Sequence, residues 1–287
     1  MTEAAGTHGR RGQIVRAHTA EVLDTSRADR REGGGAIRGA LACQVLLFLA
    51  CLASAPAAAA TPTTTLKVTS IAIPGFPGTG YILGAGAEVV VQMTIGGSEY
   101  AGAPSPLTQA SFYIPPGVVL TTAGFADCAP SLLERIGVTA CPMDSRAGPV
   151  GEGLGVVSFG NERVEEKVSI QGFFSASGGL TFYTQGTTPA AFEFLEAGHW
   201  AAASTPYGRK FVVDVPLVET VPGAPDASVT SFRVLVGAAY KRGEKTISYI
   251  TLPERCPSRG FLLKAELKFL SGEVVPATYD QPCPRRR

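Results

Sequence analysis

Apolar and polar residues alternate in short segments between residues 87 and 270, and this pattern constrains the fold more than any other feature of the sequence. In one segment Val89, Val91, Met93 and Ile95 occupy every second position. Similar segments run through 163–172, 210–215, 231–237, 246–252 and 261–270. A period of two over such lengths is typical of half-buried β-strands, because successive side chains point to opposite faces.

Segments rich in turn-forming residues separate these strands. They include SASGG (175–179), TPYG (205–208), VPGAPDA (221–227) and KRGE (241–244). Gly and Pro stop helices and favour tight turns. Long helical patterns between the strands are lacking, which argues against a parallel βαβ sheet. We therefore predict an all-β fold, an antiparallel β-sandwich of about ten to twelve strands that is immunoglobulin-like or jelly-roll-like.

Composition divides the 287-residue chain into three parts. Residues 1–36 are charged and Gly-rich without apolar periodicity, which predicts a disordered extension; a translation start assigned too early is the alternative. Residues 37–60 read as a signal peptide. Residues 61–287 are expected to form one sandwich domain, since no Ser- or Pro-rich linker divides them. The alternative is two sandwiches split near residues 185–191.

The signal peptide has three recognisable features. Arg38 precedes a nearly unbroken apolar run at 40–53, and SAPAAAA follows, with small residues suited to cleavage after Ala58, Ala59 or Ala60. This arrangement is typical of a cleavable Sec-type export signal. The apolar run is shorter than the roughly 20 residues that span a membrane. We therefore predict a secreted, extracellular protein that is cleaved near Ala60 and has no transmembrane span when mature.

Cysteine usage agrees with an oxidising compartment. Two of the six cysteines leave with the signal peptide, and Cys128, Cys141, Cys256 and Cys283 remain. An even number in an exported chain predicts two disulfides, and four cysteines allow three pairings. Neighbours in sequence favour Cys128–Cys141 and Cys256–Cys283. No pair has the C-x-x-C spacing, which argues against a zinc or redox site.

The first cysteine pair encloses a predicted short helix. Ser131 followed by Glu134 matches a capping box, in which each side chain accepts from a free backbone amide of the first turn. Residues 132–136 would form the helix, and Gly137 suits a left-handed stop.

The second cysteine pair flanks a predicted hairpin. If Leu270 and Glu273 face each other across a two-residue turn, Cys283 lies opposite Gly260. Cys256 is then close enough in the chain to fold back to Cys283.

Charge excludes some classes of partner. Removal of residues 1–60 takes away seven of 25 basic and five of 24 acidic residues, leaving 18 and 19. A nearly neutral domain lacks the basic surface that nucleic acid or anionic lipid requires. We expect no nucleic-acid partner, while a partner at the cell surface or outside the cell stays open.

Motifs for catalysis, cofactors or metals are weak in the mature chain. His199 is its single histidine, so a multi-histidine metal site cannot form, and a structural or surface role beside Trp200 is favoured. The Gly-rich segment 148–155 lacks nucleotide-binding spacing and suits the start of a strand. A G-x-S-x-G motif is missing. We assign no catalytic, cofactor-binding or metal-binding residue.

Two clusters could still carry chemistry. Glu162, Glu165 and Glu166 could supply carboxylates to a glycosidase, although a solvated strand face is the favoured interpretation. Aromatic residues crowd the middle of the chain, where core packing is favoured over a sugar-stacking platform. They are Phe173, Phe174, Phe182, Tyr183, Phe192, Phe194, Trp200 and Tyr207.

Three segments resemble a group of exported, β-rich, four-cysteine proteins of G+C-rich bacteria to which no activity is assigned. They are 111–118, 124–142 and 221–267, with the run P-G-A-P-D-A-S at 222–228 and S-Y-I-T-L-P-E-R-C-P at 248–257. The resemblance covers most of residues 105–283. It implies export and disulfides and does not imply an activity.

The sequence favours a secreted structural, surface or binding module over an enzyme. One alternative is a secreted glycoside hydrolase, which needs two carboxylates about 5–10 Å apart in a cleft. Another is an extracellular binder of small apolar ligands, which needs a deep apolar pocket.

Overall fold

The computed structural model describes residues 61–73, 80–159, 162–188, 191–219 and 223–284. The predicted disordered extension (1–36) and signal peptide (37–60) lie outside the described residues. Fifteen strands run through the described part of the chain, and all strand pairs are antiparallel. The predicted all-β antiparallel sandwich with one short α-helix is confirmed.

The first eight strands are β1 (Thr63–Ala72), β2 (Ala87–Gly96), β3 (Leu107–Ile114), β4 (Val119–Leu120), β5 (Gly151–Phe159), β6 (Glu162–Phe174), β7 (Leu180–Gly186) and β8 (Phe192–Ala202). The others are β9 (Arg209–Asp214), β10 (Ser228–Val236), β11 (Ala239–Arg242), β12 (Lys245–Ser248), β13 (Ile250–Thr251), β14 (Phe261–Phe269) and β15 (Val274–Gln281). The helix, α1, spans Pro130–Ile136, and 3₁₀ turns follow at Val138–Ala140 and Met143–Ser145.

Eleven strands form one sheet in the order β1-β2-β10-β5-β6-β7-β8-β9-β3-β14-β15. The sheet curls into a near-closed, barrel-like sandwich, in which its two edge strands, β1 and β15, contact each other. Residues 185 and 186 lie within β7 and pair with both β6 and β8. The alternative split into two sandwiches near 185–191 would begin at these residues. Two small strand pairs lie outside the main sheet: the hairpin β11–β12, and β4–β13, whose strands are distant in sequence.

Side-chain contacts replace a regular ladder between β1 and β15. Thr64 Oγ1 donates to the Pro276 carbonyl at 3.4 Å, and Ser70 Oγ donates to Gln281 Oε1 at 3.1 Å. The Pro276 carbonyl faces β1, so the missing N–H of this proline is on the same edge, which is where a strand tolerates proline. The sheet therefore approaches closure along a seam of polar side-chain hydrogen bonds.

Both disulfides favoured by the sequence are present. Cys128–Cys141 closes the segment that contains α1, and Cys256–Cys283 ties the chain before β14 to the chain after β15. The first disulfide packs with Leu133 of α1 against Phe173 and Tyr183, on the outer face of β6 and β7. The α1 segment thus covers apolar side chains that point away from the interior.

The predicted capping box of α1 is wrong. The N-cap is Ala129, which makes no side-chain cap, and Pro130 occupies the first helical position. Proline suits that position because its φ is already helical and its missing N–H has no partner there in any case. Ser131 is consequently inside the helix, where it cannot cap it. Gly137 does end the helix with a positive φ of 83°.

The predicted two-residue turn between β14 and β15 is also wrong. Lys268 pairs with Val274, and the Phe269 N–H donates to the Glu273 carbonyl at 2.9 Å. Three residues, 270–272, therefore form the loop, and Gly272 has a φ of +88°. A type I turn followed by a left-handed glycine is a common three-residue hairpin loop, and it shifts the predicted register by one residue.

Aromatic rings cover three inward-facing glycines in neighbouring strands. A Cβ added to Gly172 would lie 3.2 Å from the Phe182 ring, one on Gly186 would lie 2.6 Å from Phe192, and one on Gly198 would lie 2.2 Å from Phe211. These distances leave no room for a side chain at Gly198. Glycine here leaves space for a ring to pack against the strand, a packing that stabilises glycine within sheets.

We predict that Gly198→Ala lowers the free energy of unfolding by about 1–3 kcal/mol, because the new methyl displaces the buried ring of Phe211. Gly155→Ala is the matched control, since the nearest atom to its added Cβ is the Ser228 carbonyl oxygen at 3.5 Å. Urea denaturation of both variants measures the effect. Equal stability of the two variants would contradict this account of the interior.

Candidate functional site

The interior of the sheet contains a cavity of about 240 Å³. An eight-stranded barrel has an interior that side chains just fill, and wider barrels leave space. Here eleven strands curl around the interior, and the side chains of both walls leave part of it empty. The volume is close to the lower end of pockets that hold small ligands, which are about 300–1,000 Å³.

The cavity wall is overwhelmingly apolar. Strand β6 contributes Val168 and β8 contributes Phe194 and Trp200, while the opposite wall contributes Val91 from β2 and Val234 from β10. These five inward-facing side chains are only half-buried, because they border empty space. The exposed apolar surface of the interior is therefore available to a ligand.

Tyr249 closes one end of the interior. Its ring is fully buried and lies 4.8 Å from the ring of Phe174, and its hydroxyl accepts a hydrogen bond from Trp200 Nε1 at 3.2 Å. Burial raises the pKa of Tyr249 to about 12, so the hydroxyl stays neutral at physiological pH. Ile250 packs beside it in the same apolar cluster. Together these residues form a plug at this end.

The carboxyl ends of β5, β7 and β9 lie at the other end of the cavity, where connections lead to β6, β8 and β10. Val218 and Ala227 of the β9–β10 connection line the cavity, and the Ala227 N–H donates to the Val218 carbonyl at 2.9 Å. Glu166 lies at this end and is 1% exposed; its Oε1 accepts from the backbone N–H of Thr188 at 3.1 Å. Residues 160–161, 189–190 and 220–222 of these connections lie outside the described residues.

Glu196 lies midway along β8 and faces the cavity between Phe194 and Gly198. Thr184 Oγ1 of β7 donates to Glu196 Oε2 at 2.8 Å. Within the described part of the chain, the second oxygen, Oε1, has no hydrogen-bond partner. Loss of solvation raises the pKa of Glu196 to about 7, and the hydrogen bond from Thr184 only partly opposes this shift. Glu196 thus changes its charge near neutral pH.

Within the described part of the chain, the cavity wall has acidic side chains and no basic ones. Among the described residues that line it, the titratable groups are Glu166, Glu196 and Tyr81, and no Lys, Arg or His is present. Tyr81 donates its hydroxyl proton to the Pro282 carbonyl, and burial raises its pKa. At neutral pH and above, the interior therefore favours a ligand with a hydrogen-bond donor or a positive charge.

The interpretation of the glutamate cluster in β6 is wrong for one residue. Glu162 and Glu165 are exposed, as a solvated strand face requires, whereas Glu166 points into the interior. Glu166 shares its face with Val164, Val168 and Ile170, because side chains two residues apart in a strand point the same way. This pattern was available in the sequence.

His199 lies away from the cavity. It is exposed on the outer face of β8 and pairs with Val212 of β9. Its neighbour Trp200 points inward and lines the cavity. Glu196 and His199 are three residues apart and therefore face opposite sides of the strand. The described residues bring no three metal-ligating side chains together.

The predicted aromatic cluster divides between the two faces of the sheet. Phe173 and Tyr183 pack under the α1 segment, and Tyr207 contacts Tyr113 on the outer surface. Phe174 and Phe182 belong to the interior core. Phe192 and Phe194 stack with their ring centroids 5.9 Å apart and line the cavity, as does Trp200.

Sequence reasoning missed Glu196 as a site residue. The sequence does contain a signal, because Glu196 falls at the same alternate positions of β8 as Phe192, Phe194 and Trp200. A carboxyl in the middle of an apolar strand face is uncommon, since burial of a charge without a partner is costly.

No protein-family model, curated protein or solved structure matches this chain. Over the described residues, none of the helical structure has the length and apolar character that crossing a bilayer requires.

Glu196 should make the stability of the protein depend on pH. Its folded pKa of about 7 exceeds the value near 4.3 of an unfolded chain, so the folded state retains the proton between these values while the unfolded state releases it. Stability associated with Glu196 is therefore present below about pH 4 and falls as the pH rises to about 7.

We predict that Glu196→Gln and wild type are equally stable near pH 4, and that the variant is more stable at pH 8 by roughly 3–4 kcal/mol. Chemical denaturation across this pH range measures the difference. Glu165→Gln is the control, because Glu165 is exposed on the outer face of β6. A difference between wild type and Glu196→Gln that is the same at every pH would contradict the assigned environment of Glu196.

Proposed function

We propose that the protein is an exported binding module that holds a small apolar ligand in the cavity inside its sheet. The observation that carries the proposal is the unfilled interior of about 240 Å³, lined almost entirely by apolar side chains. Ligand pockets in proteins combine such a lining with a few polar groups that fix the orientation of the ligand. Thr184 and Glu196 are such groups.

The half-buried state of the cavity valines supports this proposal. A core side chain normally reaches close packing with its neighbours. An apolar ligand would remove the accessible surface of Val91, Val168 and Val234 from water, and each square ångström buried contributes about 25 cal/mol. The interior core below the cavity, around Met93 and Leu267, is already closely packed, so the ligand is expected at the cavity rather than elsewhere in the interior.

The two interior carboxyls also bear on the alternative of a glycoside hydrolase. Glu196 Oε2 lies beside Thr184, and Glu166 Oε1 lies beside Gly186, the next inward position of β7. Two carboxyls near one another are what such an enzyme needs. The apolar wall, however, offers few partners for the hydroxyl groups of a sugar, and unpaired polar groups are costly to bury. The lining therefore supports an apolar ligand better than a sugar.

Export is part of the proposal. The two disulfides support it, because structural disulfides form and persist outside the reducing cytosol. The apolar run at 40–53 followed by small residues supports a Sec-type signal, and so does the resemblance to exported bacterial proteins. An exported protein would have access to ligands outside the cell.

The full chain expressed in a bacterial host should be recovered from the medium with an N-terminus between Ala59 and Pro62, where the small residues end. N-terminal sequencing or intact-mass measurement identifies the start. A secreted protein that begins at Met1, or one that carries a lipid on Cys51, would contradict the proposed processing.

Ligand binding can be tested with N-phenyl-1-naphthylamine, a neutral dye that fluoresces strongly in apolar surroundings. We expect one dye molecule to bind per chain, and Val168→Phe to weaken binding at least tenfold because the larger ring fills the cavity. Ser169→Phe is the matched control, since Ser169 is exposed on the outer face of the same strand. Denaturation curves confirm that both variants are folded.

Absence of dye binding to the wild-type protein would contradict the proposed function. Equal affinity of wild type, Val168→Phe and Ser169→Phe would also contradict it, because the dye would then bind outside the cavity.

A further inference from the structure

We propose that the natural ligand is a cationic amphiphile, an apolar body that carries a protonated amine, and that Glu196 binds the amine. This inference rests on the proposed function, because it concerns the same cavity. It adds the chemical class of the ligand and the residue that selects it.

The position of Glu196 suits a group that recognises one end of a ligand. The carboxyl projects from the middle of β8 into an otherwise apolar stretch between Phe194 and Trp200. Thr184 donates to one carboxylate oxygen and leaves the other without a partner in the described part of the chain. A donor on the ligand would complete the hydrogen bonds of this carboxyl, which an entirely hydrocarbon ligand would leave unsatisfied.

Glu166 differs from Glu196 in its surroundings. Its carboxyl is almost fully buried and accepts from the backbone N–H of Thr188, which ties β6 to the β7–β8 connection. Glu166 therefore has a structural role at the end of the cavity.

The charges of the surroundings decide between an amine and other polar groups. The neighbours of Glu196 in β7, Phe182 and Thr184, do not titrate, and neither do Val213 of β9 and Val215 just after its end. The other titratable groups that line the cavity are Glu166 and Tyr81, and no basic side chain from the described residues faces it. A ligand carboxylate would meet repulsion without compensation, whereas an ammonium would form a charge-assisted hydrogen bond.

The size of the cavity limits the apolar body of the ligand. A volume of about 240 Å³ is small for a ligand pocket, so a single short alkyl chain or a compact ring system suits it better than a long-chain lipid. Aromatic surfaces of Phe194 and Trp200 border the same space, and the face of an aromatic ring also attracts a cation.

The ionisation of Glu196 provides a second, independent signature. Its pKa of about 7 means that the carboxyl is mostly neutral at pH 5.5 and mostly charged at pH 8. An alkylammonium stays charged across this range, since its pKa is near the 10.4 of a lysine side chain. Affinity for an amine should therefore rise between pH 5.5 and 8, while affinity for an alcohol of equal length should change little.

The test is displacement of N-phenyl-1-naphthylamine by n-octylamine, 1-octanol and octanoate, which share one chain length and differ in the polar end. At pH 8 we expect octylamine to bind at least tenfold more tightly than octanol, and octanoate to bind most weakly. At pH 5.5 the advantage of the amine over the alcohol should fall to threefold or less.

Two variants assign the effect to Glu196. Glu196→Gln should abolish the preference for octylamine at pH 8 and leave the affinity for octanol within threefold of wild type. Glu165→Gln, on the exposed face of β6, should retain the preference. Binding of the dye and of octanol with no preference for the amine would overturn this inference and leave the proposed function standing. A preference that survives in Glu196→Gln would overturn the role of Glu196, and lack of dye binding would overturn the proposed function itself.

Discussion

The number of strands in the main sheet is the constraint on which the rest of the structure depends. One apolar face of an eleven-stranded sheet must be buried, and the chain buries it by curling the sheet until β1 and β15 meet. A closed or nearly closed sheet of this width encloses more space than its side chains fill, whereas eight strands enclose about as much as they fill. The cavity is therefore a consequence of the architecture. The same closure protects the two edge strands, which otherwise invite association with other chains.

The interior compensates for its width in three ways. Large rings pack against glycines in neighbouring strands, as Phe211 does against Gly198. Tyr249 enters from outside the main sheet and plugs one end, where Trp200 donates to its hydroxyl. Met93, Leu267 and their neighbours fill the part of the interior between β1, β2, β3 and β14. What remains is a space with a mostly apolar wall. Glu196 lies there among apolar side chains, and one of its carboxylate oxygens accepts no hydrogen bond within the described chain. The cavity that the curled sheet leaves and the carboxyl of Glu196 thus lie at the same place.

The sequence predicted the local features of this fold and missed the features that depend on distant pairing. Alternation predicted the strands, because the direction of each side chain follows from its position along a strand. Neighbouring cysteines predicted both disulfides. The insertion of β10 between β2 and β5, and of β3 between β9 and β14, depends on contacts between distant segments that one sequence does not reveal. The cavity depends on strand order in turn. Glu166 was misplaced because its charge was given more weight than its position beside Val168, and the capping box failed because Pro130 already begins α1.

The central claim is that the interior cavity is a ligand site, and a crystal structure of the mature protein grown with N-phenyl-1-naphthylamine tests it most directly. The account predicts electron density for one dye molecule inside the sheet, in contact with Val168, Phe194 and Trp200. Density for the dye only on the outer surface, or an interior in which side chains have moved to fill the cavity, would contradict the account.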